Sequence, residues 1–450
     1  MNKKWLSFGL LLLITSIGPQ CILAQGPPPE TSAPPANTGD QKPDSTSDSS
    51  TTSAQSPNGL DVIPETRKIK SAGAVSRLNS VRWGPISLGS LEFNEVVDDF
   101  HPTGEASTTA AVSVFRAYFV VDKQYRKSRI TFQYQPTITV SHGQVDPNFI
   151  NQNINFDSYY QFNPRWILSY SDHFSFYNNR SRFGDSFLDS DSISSSTQQN
   201  GFLDGPQEVL WNSVSVGISY RWTPRTSISV TPNYAYAHTG ASLSVPERSS
   251  NGFGVTTQIT HQLSPNRAIQ AHYSAEHSQF SSSFGDTTYH TIGVGYTQQL
   301  PDKWGFAVGV GASNASSSDL GRFWTTTGSA SLVKAFGTSS VSLAYVRGTS
   351  VATDYLTNRY SDRGDLSYST QWTRRLQTRG GVGYEREVGT TSGIWGKYVT
   401  AQVNVKLNLN ATFFAYYVRK WQRGDGQQVF TGNRDLASIG IRWDFAQEAH

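Results

Sequence analysis

The chain has 450 residues, including 38 Gly, 24 Phe, 21 Tyr and 11 Trp, and only 16% of its residues are charged. A soluble enzyme of this length usually carries about a quarter charged residues, and this composition favours short strands and turns over helices. The formal net charge of +3 is too small to indicate a nucleic-acid partner.

The N-terminus has the pattern of a secretory signal peptide. Lys3 and Lys4 precede an apolar run from residue 5 to 17, and Ile22-Leu23-Ala24 is typical of a signal peptidase site. We therefore expect residues 1–24 to be removed. The only cysteine, Cys21, lies within this segment, so the mature chain is expected to contain no disulfide. No later stretch has the roughly 18 apolar residues that a transmembrane helix needs.

Residues 25–78 form a distinct segment rich in Pro, Ser, Thr and Asp, including Gly26-Pro27-Pro28-Pro29 and the run 45–53. Such a segment cannot bury enough apolar surface to offset the conformational entropy of the chain. The composition therefore predicts a disordered periplasmic tail, through which the protein could reach a periplasmic partner.

From residue 81 onward, apolar and polar residues alternate. Between residues 129 and 140 the even positions, from Ile130 to Val140, are apolar or Pro, and the odd positions are Arg, Thr or Gln. Residues 213–222 and 399–407 show the same alternation. A period of two is the pattern of β-strands, and these segments are longer than strands of ordinary globular proteins.

The connections between these strands alternate between tight and long. Tight turns such as 163–165 and 223–225 are followed by longer polar segments such as 178–208 and 348–362. This alternation is typical of a transmembrane barrel with short periplasmic turns and long external loops. We predict an all-β fold: an antiparallel up-and-down barrel of about 18 strands, plus or minus two, over residues 79–445, followed by a short extension over 446–450.

The tryptophans provide an independent test of this arrangement. The indole ring prefers the membrane interface, and the Trp residues fall near the predicted strand ends, which predicts two aromatic girdles. Trp211 and Trp222 have opposite parity in one strand, so either a bulge or an inward Trp211 is required. The predicted girdle residues are Trp166, Trp222, Trp304, Trp372 and Trp443 at the periplasmic level and Trp211, Trp324, Trp395 and Trp421 at the external level.

Two segments resemble known outer-membrane proteins. The last strand, 436–445, resembles the C-terminal signal of bacterial outer-membrane proteins, which ends in an aromatic residue, although five residues follow Phe445 here. This resemblance implies recognition by the barrel-assembly machinery and a place in the outer membrane of a Gram-negative-type bacterium. The segment from Trp83 to Asp99 resembles the first strand of β-barrel porins associated with exopolysaccharide loci, but Phe100 stands where those proteins often have Asn.

The residues that could carry catalysis are few. Asp98, Asp99 and His101 lie at a predicted rim and Asp172-His173 are adjacent, but the motifs of omptin-like proteases around them are absent. Residues 249–252 lack the His of the outer-membrane phospholipases and suggest a polar loop tip. Four aspartates could hold Ca²⁺ or simply belong to a solvated loop: Asp185, Asp189, Asp191 and Asp204. We expect no enzyme activity, cofactor or catalytic metal.

The predicted lumen is therefore the main candidate for function, since inward positions of a wide barrel line a water-filled bore. We interpret the protein as a porin-like channel for passive diffusion of small hydrophilic solutes, in contact with outer-membrane lipids. Alternatives are a component of exopolysaccharide export or surface assembly, or a structural or adhesive barrel without an open pore. The loop 178–208 either constricts the bore or lies outside it, and the sequence does not define an oligomeric state. The candidate lumen residues are Arg129, Gln133, Asp157, Arg221, His272, Glu276, Asp365, Lys406 and Arg442.

Overall fold

A computed structural model describes eleven segments of the chain, which lie between residues 82 and 445. The predicted signal peptide, the predicted tail, the loop with the four aspartates and the extension 446–450 lie outside the described residues. The described segments are 82–83, 86–102, 107–142, 149–178, 208–240, 248–281, 286–317, 321–348, 358–389, 393–425 and 431–445.

Regular structure in these segments consists of β-strands, as the alternating pattern predicts. Within the described ranges, no helix is long and apolar enough to cross a bilayer. The strands are β1 (Arg82–Trp83), β2 (Ile86–Pro102), β3 (Thr108–Gln124), β4 (Ser128–Ser141), β5 (Phe149–Asn163), β6 (Trp166–Asn178), β7 (Glu208–Thr223), β8 (Thr226–Thr239), β9 (Arg248–Ser264), β10 (Arg267–Phe280), β11 (Thr287–Leu300), β12 (Trp304–Ser317), β13 (Gly321–Phe336), β14 (Ser339–Gly348), β15 (Asn358–Gln371), β16 (Leu376–Gly389), β17 (Gly393–Lys406), β18 (Ala411–Asp425) and β19 (Gly432–Asp444).

The strands close into a single barrel. From β2 to β19 each strand pairs antiparallel with the next, and β19 pairs with β2 from Gly432↔Pro102 to Asp444↔Ser90. The short β1 pairs only with the start of β2, through Trp83↔Ile86. The barrel therefore has 18 strands, which confirms the predicted fold. Closure pairs the first strand with the last, so neither is left as an open edge.

The two ends of the barrel differ in their connections. One end, here called the short-turn end, has tight turns such as 164–165, 224–225 and 337–338. The other, the long-loop end, has the connections 179–207 and 349–357. In several strands, main-chain pairing with a neighbour continues past the segment in which apolar and polar residues alternate. For example, β9 begins at Arg248, so residues 249–252 lie in a strand and were wrongly interpreted as a loop tip.

The alternation divides the side chains between an outer and an inner wall. On the outer wall, large apolar side chains are exposed, for example Ile292 at 61%, Val294 at 55% and Val310 at 60%. Residues of the opposite parity form the inner wall, which includes buried polar side chains such as Asn94, Thr137 and Ser313. In a soluble protein, by contrast, large apolar side chains are mostly buried and charged side chains are mostly exposed.

The inner wall is most closely packed where the barrel closes. Inward side chains of β2, β3, β18 and β19 form a buried apolar cluster of Val96, Val112, Val114, Tyr416, Val418 and Leu436. Next to this cluster, Asn94 donates a hydrogen bond to Ser438 at 3.1 Å. Because β2 is the first strand of the barrel and β19 is the last, this packing holds the closing pair of strands together.

Gly440 occupies a tight position in the closing pair of strands. A Cβ atom there would lie 2.5 Å from the Phe93 carbonyl oxygen and 2.6 Å from the Phe414 ring. We expect Gly440→Ala to lower the free energy of unfolding by about 1–3 kcal/mol, because the closely packed backbone must move. Denaturant titration of the folded barrel in detergent tests this. Gly380→Ala is the control, since its Cβ would have its nearest neighbour at 3.5 Å, and an equal loss in both variants would contradict the expectation.

Candidate functional site: the bore of the barrel

The predicted lumen residues occupy positions of inward parity. In β4, for example, Ile130 and Ile138 are exposed on the outer wall, so Arg129 and Gln133 belong to the inner wall. In β10, Ile269 and Tyr273 are on the outer wall and His272 and Glu276 on the inner one. The same parity relation places the remaining candidates on the inner wall: Asp157, Arg221, Asp365, Lys406 and Arg442.

Several of these charges are paired along the wall. Arg129 donates two hydrogen bonds to Asp122, at 2.8 and 2.7 Å, across the β3–β4 turn. Arg363 contacts Asp365 at 2.8 Å. A third close pair joins Arg442 and Asp444 at 3.0 Å. Paired charges keep the inner wall hydrated while contributing little net field to the bore.

The mouth at the short-turn end carries an excess of positive charge. Arg221 and Lys406 are exposed on the inner wall, and neither has an ion-pair partner within the described segments. The tight turns add seven cationic side chains against one carboxylate, Asp302. The seven are Arg126, Lys127, Arg165, Arg225, Lys303, Arg374 and Arg375.

The exposure of inner-wall side chains varies along the barrel. On the inner wall Asp157 and Lys406 are exposed, and even Val333 is 41% exposed near the short-turn end. From mid-barrel toward the long loops, Thr137 and Asn151 have no exposed surface. Thr137 and Asn151 are thus enclosed by their surroundings, whereas the exposed positions near the short turns are accessible to water.

The structure also reveals two buried ion pairs that sequence reasoning missed. Arg434 donates two hydrogen bonds to Asp98, at 2.7 and 2.6 Å, and both side chains are 11% exposed. Arg116 pairs with Glu92 at 3.2 Å, with both side chains 5% exposed. The parity of β2 could have placed both acids on the inner wall. Their partners are on neighbouring strands, however, and the sequence pattern does not identify them.

The tryptophans lie near the two ends of the strands, but they do not all face outward. Trp222 is 63% exposed and Trp324 is 69% exposed on the outer wall. Trp211 instead pairs with the buried Ser175 and packs its ring against His173 on the inner wall. The parity conflict in β7 is therefore resolved by an inward Trp211, and its placement in the external girdle was wrong.

The acidic and histidine residues considered for catalysis are divided between the two walls. Asp98 faces inward to Arg434, whereas Asp99 accepts hydrogen bonds from Thr109 and His101 on the other wall. Likewise, Asp172 accepts a hydrogen bond from Asn212 at 3.0 Å on the outer wall. His173, its neighbour in sequence, contacts Asn155 on the inner wall. Asp98 and Asp99 are therefore not paired with each other, and neither are Asp172 and His173, whereas Asp99 and His101 lie 2.9 Å apart on the exposed outer wall.

One Ser, His and Glu do meet, on the outer wall. Ser113 Oγ lies 2.6 Å from Glu95 Oε1 and 2.8 Å from His142 Nε2, and the same Nε2 lies 3.2 Å from Glu95 Oε2. In a nucleophilic triad the acid holds the other ring nitrogen, which leaves one nitrogen free to activate the Ser. Here both partners meet at Nε2, so the geometry is that of a shared hydrogen-bond cluster. In the part of the chain that the structure describes, no group of three or more metal-ligating side chains is present.

Comparisons with solved structures give distant likenesses to porins. OccK2 (OpdF) of Pseudomonas aeruginosa is 10% identical with a TM-score of 0.48, and the alignment covers 80% of this chain and 98% of that one. OccAB3 of Acinetobacter baumannii is 11% identical with a TM-score of 0.44, covering 80% and 99%. A BenF-like porin from Pseudomonas fluorescens is 11% identical with a TM-score of 0.45, covering 78% and 98%. No protein-family model and no curated protein sequence matches the chain.

The geometry itself defines the class of protein. A closed barrel whose outer wall exposes large apolar side chains would be insoluble in water, and the same wall is well solvated by lipid acyl chains. Tryptophans at both ends of that wall match the two interfaces of a bilayer. The chain is therefore a membrane-spanning barrel of the bacterial outer-membrane type.

Proposed function

We propose that this protein is a porin-like channel through which small hydrophilic solutes cross the outer membrane by passive diffusion, with no enzymatic step. Barrels of 16–18 strands are wide enough to leave an aqueous channel. Passive diffusion requires only polar walls and charges that bias the solutes that pass.

The observation that carries this proposal is the contrast between the two walls. The outer wall exposes apolar side chains such as Val310, while exposed side chains on the inner wall include Asp157, Arg221 and Lys406. Charged side chains that face the interior of a barrel need water or a partner, because an unpaired charge in an apolar interior is strongly unfavourable. Their exposure supports a hydrated bore at the short-turn end.

Conductance across a planar bilayer tests the proposal. We expect the purified full chain to insert and to give discrete conductance steps in symmetric salt. Correct folding is shown by a β-sheet circular dichroism spectrum and by the folded barrel's resistance to SDS when the sample is not heated. A correctly folded barrel that gives no conductance would contradict the channel function.

Charge reversal at the short-turn mouth should change ion selectivity. The wild-type reversal potential in asymmetric KCl is expected to favour anions, because the mouth carries more cations than carboxylates. Arg221→Glu combined with Lys406→Glu should shift the reversal potential toward cation preference, most strongly at low salt, where screening is weakest.

Lys334→Glu provides the matched control for this selectivity. Lys334 lies at the same end of the barrel but on the outer wall, 4.4 Å from the Trp304 ring, so its charge is outside the bore. It should leave the reversal potential unchanged. An equal shift in the control, or no shift in the double variant, would contradict the placement of Arg221 and Lys406 in the conducting path.

A further inference from the structure

In its long-loop half, the described part of the outer wall carries positive charge in a single sector. In the long-loop half of this wall, the Arg and Lys side chains that the structure describes all lie between β13 and β18. On the other described strands, this half of the outer wall has none. We call the six residues the cationic sector: Arg322, Arg347, Arg386, Lys397, Arg419 and Arg423.

Most of this charge is not neutralised within the wall. Two carboxylates are close: Asp362 lies 3.5 Å from Arg347, and Asp435 lies 3.7 Å from Arg419. The other four cations have no ion-pair partner among the described residues. Arg423 instead lies 5.4 Å from the centre of the Trp395 ring.

Residues that lie directly opposite one another on neighbouring strands form rows across this sector. From mid-barrel toward the long loops, these rows change from apolar to cationic. Nearest mid-barrel is an apolar row of Leu343, Leu366, Val382 and Val399. The next row toward the long loops is Tyr345, Gly364, Tyr384 and Lys397. The third is Arg347, Asp362, Arg386, Trp395 and Arg423.

A groove of about 660 Å³ lies in the same part of the outer wall, across β12 to β17. Apolar side chains line most of it, among them Val308, Leu332 and Leu366, and Lys397 lines its long-loop side. Gly364 leaves a depression between two tyrosines, since a Cβ there would have its nearest neighbour at 4.0 Å. The groove is thus apolar within the membrane and cationic at the interface.

We propose that this sector is a docking site for a phosphorylated, multiply acylated glycolipid of the outer leaflet, of the lipid A type. Long loops of such barrels face the cell exterior, so the cationic row lies at the headgroup level of that leaflet. Arginine binds phosphate through paired hydrogen bonds, and each basic residue near an anionic lipid surface contributes about 1 kcal/mol. The apolar groove accommodates an acyl chain below the phosphates. This inference depends on the membrane location of the barrel and not on its conductance.

Binding of purified lipid A to the full chain in neutral detergent, measured by native mass spectrometry, tests the proposal. We expect the combined variant Arg386→Gln, Lys397→Gln and Arg423→Gln to weaken binding by about tenfold or more, given the contribution of each cation. Gly364→Leu fills the groove without touching a charge and should also weaken binding. Lys334→Gln is the matched control, because it removes a cation beside a Trp at the opposite end of the outer wall, and it should bind as wild type.

Four outcomes would overturn the docking site. The first is that the triple variant binds lipid A as tightly as the wild type. The second and third are that the wild type binds dephosphorylated lipid A, or phosphatidylglycerol, as tightly as lipid A. The fourth is that the wild type forms an oligomer without lipid and the triple variant does not. The last would identify the sector as a contact between copies of this chain. β-sheet circular dichroism and the melting temperature of each variant distinguish loss of binding from loss of folding.

Discussion

Replacing Arg434 with Met is expected to destabilise the barrel by about 3–5 kcal/mol, because it leaves the carboxylate of Asp98 buried without its partner. The pair is only 11% exposed on each side, and it joins the last strand to the first, where the barrel closes. Denaturant titration in detergent micelles or in vesicles measures the free energy of unfolding of the variant and of the wild type.

Two further variants isolate the cause of this loss. Removing both charges, with Asp98→Leu and Arg434→Met, should restore most of the stability, because no uncompensated charge then remains. Arg129→Met removes a cation from a pair whose side chains are 48% and 36% exposed, and should lower stability by at most about 1 kcal/mol. If the double variant is no more stable than Arg434→Met alone, the buried charge is not the reason for the loss.

The second large effect concerns the outer wall. Val310 is 60% exposed at the middle of β12, where its side chain meets lipid. We expect Val310→Arg to destabilise the barrel by about 2–4 kcal/mol, because a charge at the bilayer midplane loses its hydration. Unfolding in lipid vesicles is the appropriate measurement, since detergent micelles allow water closer to the wall.

The matched control introduces the same substitution on the other wall. Val333, on the neighbouring strand β13, faces the bore and is 41% exposed. Val333→Arg should leave stability within about 1 kcal/mol of wild type, since a surface substitution in contact with water has a small effect. Equal destabilisation by both variants would mean that both walls meet the same solvent. That result would contradict the assignment of lipid to the outer wall and water to the inner wall.

Sequence reasoning located the strands well because its signals are local. The alternation around Ile130 and Val214 depends only on neighbouring residues, and so do the tight turns at 164–165 and 224–225. Strand ends were less well predicted, since pairing with an adjacent strand can continue after the alternation stops. β2, for example, stays paired with β19 through Asp98 and Asp99 as far as Pro102.

Parity predicted which residues face the inner wall, but it did not predict which of these residues contact one another. Arg129 and Lys406 could be placed there from sequence because each is out of phase with the alternating apolar residues of its own strand, such as Ile130 and Val405. The contacts Asp98–Arg434 and Trp211–His173 depend on which residues of different strands lie opposite one another. The relative register of strands is set by turn geometry and by the stagger of the closed barrel.

By itself the sequence determined an antiparallel barrel of about 18 strands, an apolar outer wall, a polar inner wall and two levels of tryptophan. These properties follow from two local patterns: the period of two within each strand, and the alternation of short and long connections between successive strands. The tertiary structure alone decided the rest: the buried ion pairs where the barrel closes, the contact of Trp211 with His173 on the inner wall, and the alignment of cations above an apolar groove. Each of these joins residues that are far apart in the chain, and only the register of the closed sheet brings them together.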